Sequence, residues 1–180
     1  MGYQPYLQNV TRYGRTFQVV NPNHFVTPFY FMAASTTGVA GHVVKYDTQE
    51  DTIAIATSGS KAYEVAGFLM QDIKDLDAGP VKGYRNLNKT VENLGGNVGV
   101  LQGPGNVCFT KQYNGSPALG NRLTVAGDNS GNLAVYSTLM TSDPIAVVEA
   151  TVSSVQPSIE PQQYSTTGGK NFIRIRTYNL

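Results

Sequence analysis

Short apolar runs, β-branched or aromatic and in places alternating large with small groups, recur along the chain, separated by clusters of Gly, Asn, Pro and Ser. Ile53-Ala54-Ile55-Ala56, Val98-Gly99-Val100-Leu101, Val107-Cys108-Phe109, Leu123-Thr124-Val125 and Leu133-Ala134-Val135-Tyr136 are such runs, and Ile145–Val152 and Phe172–Tyr178 extend the series. Between them stand Ser58-Gly59-Ser60, Gly103-Pro104-Gly105, Asn114-Gly115-Ser116-Pro117 and Asp128-Asn129-Ser130-Gly131-Asn132. A side-chain period of two, β-branched residues and turn formers at short intervals predict strands and hairpins. With Thr16–Val20, Val39–Tyr46 and Val65–Met70 the pattern predicts an all-β protein, a compact β-barrel or sandwich of about ten short strands. Such a number favours closure, because exposed sheet edges invite aggregation.

Two stretches depart from the pattern. Tyr84, Leu87, Val91 and Leu94 recur at helical spacing ahead of Gly95-Gly96, but Asn86, Asn88 and Asn93 oppose a helix by competing for backbone hydrogen bonds. Residues 71–96 are therefore expected to form a long loop with at most a turn or two of helix, and long loops in compact domains usually serve contact. The N-terminal stretch carries Tyr3, Tyr6, Tyr13, Phe17, Phe25, Phe29, Tyr30 and Phe31, eight of the chain's 11 Tyr and 7 Phe, together with Pro5, Pro22 and Pro28. Proline keeps such a segment extended. Its rings either cap one end of the barrel or dock an arm on a neighbour, and both can hold along one arm. The expected organisation is an extended aromatic-rich N-terminal arm, 1–37, and a β-barrel domain, 38–180, with the long loop at 71–96.

Composition narrows the function classes. Lys and Arg number 13 against 12 Asp and Glu, for a formal net charge of +1, and charged residues make up 14%. A balanced charge leaves no large basic field for nucleic acid. No apolar run approaches the roughly 20 residues that span a bilayer, so neither nucleic acid nor membrane is an expected partner. Met1-Gly2-Tyr3-Gln4-Pro5 lacks the basic and apolar regions of a secretory signal, which implies synthesis in the cytoplasm.

Candidate chemistry is sparse. His24 and His42 have no second ligand at zinc spacing, and His42, alternating with Val44 and Tyr46, is expected to be a satisfied structural side chain. Cys108 lies in an apolar strand, where a core thiol is expected rather than a nucleophile. Asp72, Asp75 and Asp77 lack the downstream bidentate Glu of a calcium loop, and Asp128-Asn129-Ser130-Gly131 is better explained as a hairpin. No catalytic, cofactor-binding or metal-ligating residue is assigned, and no cofactor is expected. Arg174 and Arg176 share a strand face with Phe172 and Tyr178, opposite Ile173 and Ile175. They form either an ordinary solvated face or a strip that contacts carboxylates on a partner. A nucleic-acid face would need more than these two arginines.

The succession of hairpins resembles a known family. Gly38–Asp47 leads through Asp51–Ala56 to the strand Val65-Ala66-Gly67-Phe68-Leu69, followed by Asn97–Gly105, Gly120–Val125, the hairpin Asp128–Leu133 and Pro144–Ala150. Over roughly Gly38 to Leu180 this is similar to the β-barrel decoration, or cement, proteins of tailed-bacteriophage heads. The resemblance implies a non-enzymatic virion structural protein on the capsid exterior, commonly a homotrimer. It would bind the outer surface of the major capsid protein shell at capsomer junctions and stabilise it. Its candidate partner contacts are Tyr3, Tyr6, Tyr13, Phe25, Phe29 and Tyr30 of the arm, Tyr84 and Arg85 of the loop, and Arg174 and Arg176. Deleting residues 1–30 is then expected to leave a folded barrel that no longer holds to shells. Another β-rich virion component of tail or fibre, or a carbohydrate-binding module using tyrosine platforms, remains the alternative; Trp 0 counts against the last.

Overall fold

The computed structural model describes residues 17–21, 26–33, 37–70, 72–73, 97–151 and 172–178. Among them run eleven strands: β1 (Phe17–Asn21), β2 (Val26–Met32), β3 (Val43–Tyr46), β4 (Thr52–Ile55), β5 (Val65–Leu69), β6 (Asn97–Leu101), β7 (Val107–Thr110), β8 (Arg122–Val125), β9 (Leu133–Val135), β10 (Ala146–Thr151) and β11 (Ile173–Thr177). The protein is all-β, as its alternation predicts. Five strands close a barrel in the order β2-β4-β3-β5-β6, and six form a sheet in the order β1-β7-β11-β10-β8-β9. Neighbours pair antiparallel except β2 and β4, where Phe31 stands opposite Thr52 and Met32 opposite Ile53 in parallel register.

Period-two alternation sorts side chains between two cores. Val44, Ile53, Ala66, Leu69, Val98 and Val100 fill the barrel, joined by Ile73. Val43, Val65, Phe68 and Leu101 point out of the same strands onto Phe17, Cys108, Leu123, Val148, Ile173 and Ile175 of the sheet. Strands β3, β5 and β6 thus have one face in each core, which is why all five residues of β5 are buried. Each fully buried Phe or Leu contributes about 1.5–3 kcal/mol, so the shared layer welds barrel and sheet together. Phe17 stacks on Phe68 across it, with ring centroids 5.6 Å apart.

Polar contacts fasten the same joint. Asn129 Oδ1 accepts the Ser58 N–H at 2.8 Å, Ser142 Oγ the Gly59 N–H at 2.9 Å and Asp143 Oδ2 the Ala62 N–H at 3.0 Å. At the β6–β7 crossing the wholly buried Asn106 donates through Nδ2 to the carbonyls of Gln102 and Gly103, while its N–H donates to Thr177 Oγ1. Buried polar groups satisfied in this way fix a register that apolar packing alone leaves loose.

Two expectations change here. Residues 17–21, expected as a strand but counted with the N-terminal arm, belong to the sheet, and residues 26–32, expected as extended arm, form a strand of the barrel. Deleting residues 1–30 would therefore remove Phe17 from the core and most of β2 from the closed barrel, so that deletion cannot leave a folded barrel. Strand β2 is also the element the pattern did not predict. Its Pro28 argues against a central strand, yet the register steps from Thr27 opposite Val100 to Tyr30 opposite Val98. The two residues between them face one on β6, a bulge that tolerates a proline without a lost ladder bond. The helical spacing of Tyr84–Leu94 lies outside the described residues.

Candidate interaction face

The last strand behaves as its alternation predicts. Ile173, Ile175 and Thr177 of β11 are buried against the barrel side, and Arg174 and Arg176 point out of the opposite face of the sheet. The pairing of β10 with β11 steps from Val148 opposite Ile175 to Ala150 opposite Arg174. Glu149 is the extra residue of that bulge, and its carboxylate turns onto both arginines. Arg176 Nε hydrogen-bonds Oε1, and Arg174 Nε lies 3.4 Å from Oε2. One carboxylate thus holds two guanidinium groups, half-buried at Arg174 and more open at Arg176. Ion pairs this exposed add at most about 1 kcal/mol each. Their effect is to hold the two cations side by side rather than to stabilise the fold.

Register brings further residues to the same face. Arg122 of β8 stands opposite Val147 of β10, Val147 opposite Arg176, and Arg176 opposite Val107 of β7. Arg122 is exposed, with its guanidinium 4.9 Å from the centroid of Tyr136. Lys111 Nζ lies 4.7 Å over Phe172, which meets the buried Phe109 edge-on at 6.5 Å. Burial pushes the Lys111 ammonium below its ordinary range. Burial also pushes the Tyr178 hydroxyl up, against the opposing pull of Arg122. Among the described residues the face carries Lys111, Arg122, Arg174 and Arg176 against the single carboxylate of Glu149. The sequence singled out only Arg174 and Arg176. The outward position of Arg122 was readable from the inward Leu123, but its neighbours follow from a strand order that no local pattern encodes.

Tyr30 lies elsewhere, on the barrel. It packs against the barrel core, meets Tyr46 edge-on at 6.0 Å, and its hydroxyl accepts from Gln102 Nε2 at 3.2 Å. The same amide donates to the Tyr46 hydroxyl at 3.1 Å. Burial, then hydrogen bonding to Tyr30, raise the Tyr46 hydroxyl above its ordinary value. Tyr30 thus packs on the barrel core, in a different sheet from the arginines. Phe29 lies in β2. Tyr3, Tyr6, Tyr13, Phe25, Tyr84 and Arg85 lie outside the described residues.

The remaining reactive side chains are held structurally. Cys108 is wholly buried in the shared core, and burial drives its thiol far above its ordinary range, which keeps it from acting as a nucleophile. His42 Nδ1 accepts the Val39 N–H at 3.3 Å, and its ring also hydrogen-bonds Gln112. Asp72 Oδ1 accepts the Ala40 N–H at 2.9 Å. Asp128 Oδ1 accepts from the Ser130 N–H and hydroxyl, as an aspartate opening the β8–β9 hairpin does. Among the described residues no three His, Cys, Asp or Glu side chains stand together to hold a metal ion. A scan against protein-family models gives no match, and a search of curated proteins gives none either.

Proposed function

We propose that this protein is a non-enzymatic virion structural protein. It decorates a phage head by binding the outer surface of the major capsid protein shell at capsomer junctions, and it self-associates, as a homotrimer. The observation that carries this reading is the arginine-bearing outer face of the sheet, where Glu149 presents Arg174 and Arg176 together beside Arg122. Guanidinium groups fixed in place match carboxylates on a partner with little further ordering. The body behind that face is closed and doubly cored, so a contact made on it transmits load into the barrel. The resemblance of Gly38–Leu180 to phage decoration proteins supplies the capsid as the partner.

Co-sedimentation with purified capsid shells tests it. Wild type is expected to pellet with shells, and R122A/R174A/R176A to bind at least about ten-fold more weakly at unchanged fold, by analogy with lost charge pairs at interfaces. A deletion of residues 1–16, which stops short of β1, asks separately whether the N-terminal segment contributes. Wild type that never pellets with shells refutes the capsid reading, and labelling of intact particles on the tail instead of the head establishes the tail or fibre alternative. The exposed ring of Tyr46 beside Gln102 and Tyr30 favours the carbohydrate alternative, for which hits on a glycan array are the required result.

A further inference from the structure

Among the described residues, carboxylates gather at one barrel hairpin and guanidinium groups on the outer face of the sheet. The β3–β4 hairpin carries Asp47, Glu50 and Asp51, all exposed, while Lys45 behind them on β3 is turned onto Thr57 Oγ1 at 3.2 Å. Its tip is tied down: the Asp47 N–H donates to the Thr52 carbonyl at 2.9 Å, the Thr52 N–H to the Gln49 carbonyl at 3.2 Å and Thr52 Oγ1 to the Glu50 carbonyl at 3.2 Å. The Phe31 N–H donates to the Asp51 carbonyl at 2.8 Å, anchoring the tip to β2. Exposed Tyr46 and Phe31 border it, at 46% and 43% accessibility. Among the described residues the ion pairs are the two made by Glu149, so the three hairpin carboxylates have no cationic partner there.

The sheet's outer face has the opposite character, with Arg174 and Arg176 on one carboxylate and Arg122 across β10 from Arg176. These two surfaces cannot meet within one chain. The sheet turns its inner face to the barrel through the shared core, so its outer face looks away from the barrel that bears the hairpin. We infer that the arginine face of one copy receives the acidic β3–β4 hairpin of a second copy. Tyr46 and Phe31 at the hairpin's flank supply rings on which guanidinium groups stack. The contact is heterologous: each copy offers a hairpin and a face, so copies join head to tail and close into a ring where the rotation allows. A nucleic-acid occupant is disfavoured by Glu149, whose carboxylate stands between the arginines and would repel a phosphate backbone. This inference rests on the self-association in the proposed function and assigns the arginine face to the neighbouring copy, so that weaker shell binding by R122A/R174A/R176A reads loss of the assembled ring; it is tested on isolated protein, where capsid binding plays no part.

The experiment is sedimentation-velocity ultracentrifugation with reciprocal charge reversal. Wild type is expected to associate at about 50 mM salt and at least about ten-fold more weakly at about 500 mM, because exposed charge pairs are screened. Asp47→Lys with Glu50→Lys, and separately Arg122→Glu with Arg176→Glu, should each give a folded monomer by circular dichroism and melting temperature. Both pairs sit at exposed positions and leave the Arg174–Glu149 pair intact. Mixed in equal amounts, the two variants should associate again, since each hairpin then meets an opposite face. Wild type that stays monomeric at both salts overturns the inference, as does either variant associating like wild type or a mixture that remains monomeric. A monomeric wild type that is retained by a DNA oligonucleotide overturns it in favour of a polyanion.

Discussion

Gly67 is where the two cores are brought into register at the level of a single residue. Along β5, Val65 and Phe68 face the sheet while Ala66 and Leu69 face into the barrel. A strict period of two would put Val65 and Phe68 on opposite faces. The bulge between Gly67 and Val65 opposite Val44 and Lys45 removes the conflict. At Gly67 φ is +146°, and a Cβ there would run into the Leu101 carbonyl oxygen and lie 2.8 Å from Val100 Cγ1. Backbone cannot yield as a side-chain tip can. Gly67→Ala is expected to cost more than about 2 kcal/mol, read as a fall in the urea midpoint at unchanged slope. His42 is a second residue with a measurable consequence. Burial lowers its pKa below 6.5, while the Gln112 hydrogen bond, Asp72 and Asp128 pull the other way. The unfolded chain therefore binds the proton more readily than the folded one. Stability is complete above pH 6.5, falls as pH drops below that, and levels off once the folded ring is also protonated. Protonating Nδ1 would also lose the Val39 N–H bond. His42→Asn keeps an acceptor near that place but has no titration, so its urea midpoint should change less than wild type's between pH 7.5 and 5.5. Equal slopes for the two proteins would remove His42 from the account.

At the scale of elements, legibility followed local determinism. The runs that became β4 through β11 announce themselves because each alternates or is apolar throughout, and β4, β6 and β8 are followed by turns rich in Gly, Asn, Pro or Ser. The Asp128–Gly131 hairpin is the clearest case: Asp128 caps its own loop, and Gly131 sits at φ +77° where a Cβ would strike Ile55. Strand β3 begins only at Val43, because Val39–Gly41 alternates like a strand but turns at Gly41 to reach Asp72 and Leu69. Strand β2 escapes the pattern because Pro28 is incompatible with a regular ladder, and only the bulge in β2 opposite Gly99 of β6, a long-range fact, makes room for it. The candidate face divides in the same way. Arg174 and Arg176 follow from the period of their own strand. Glu149 reaches them only because β10 bulges, and Arg122 joins them only because β8 lies beside β10, an order set by the global packing of the sheet.

For the whole molecule the question is whether barrel and sheet act as one body, as the proposed capsid-binding role requires. The shared core argues that they do. Strands β3, β5 and β6 each supply residues to both cores, and the loop carrying Ser58, Gly59 and Ala62 is fastened to Asn129, Ser142 and Asp143 on the sheet side. Separating the two halves would expose Phe17, Phe68, Leu101, Cys108 and Ile175 together, a cost far above any polar gain. The chain provides its own probe, because Cys108 is its single cysteine and lies wholly inside that layer. Its thiol is both inaccessible and protonated there, so a thiol reagent reacts only when barrel and sheet part. Unfolding in urea followed by Cys108 labelling is therefore expected to coincide with the transition seen by far-ultraviolet circular dichroism, as two-state behaviour requires. Replacing Asp143 by Ala leaves the Ala62 N–H without its acceptor and should lower both midpoints together, by an amount equivalent to about 1–2 kcal/mol. Labelling that precedes the loss of strand signal, in wild type or in Asp143→Ala, would mean that the halves separate before they unfold and that the molecule is hinged rather than rigid.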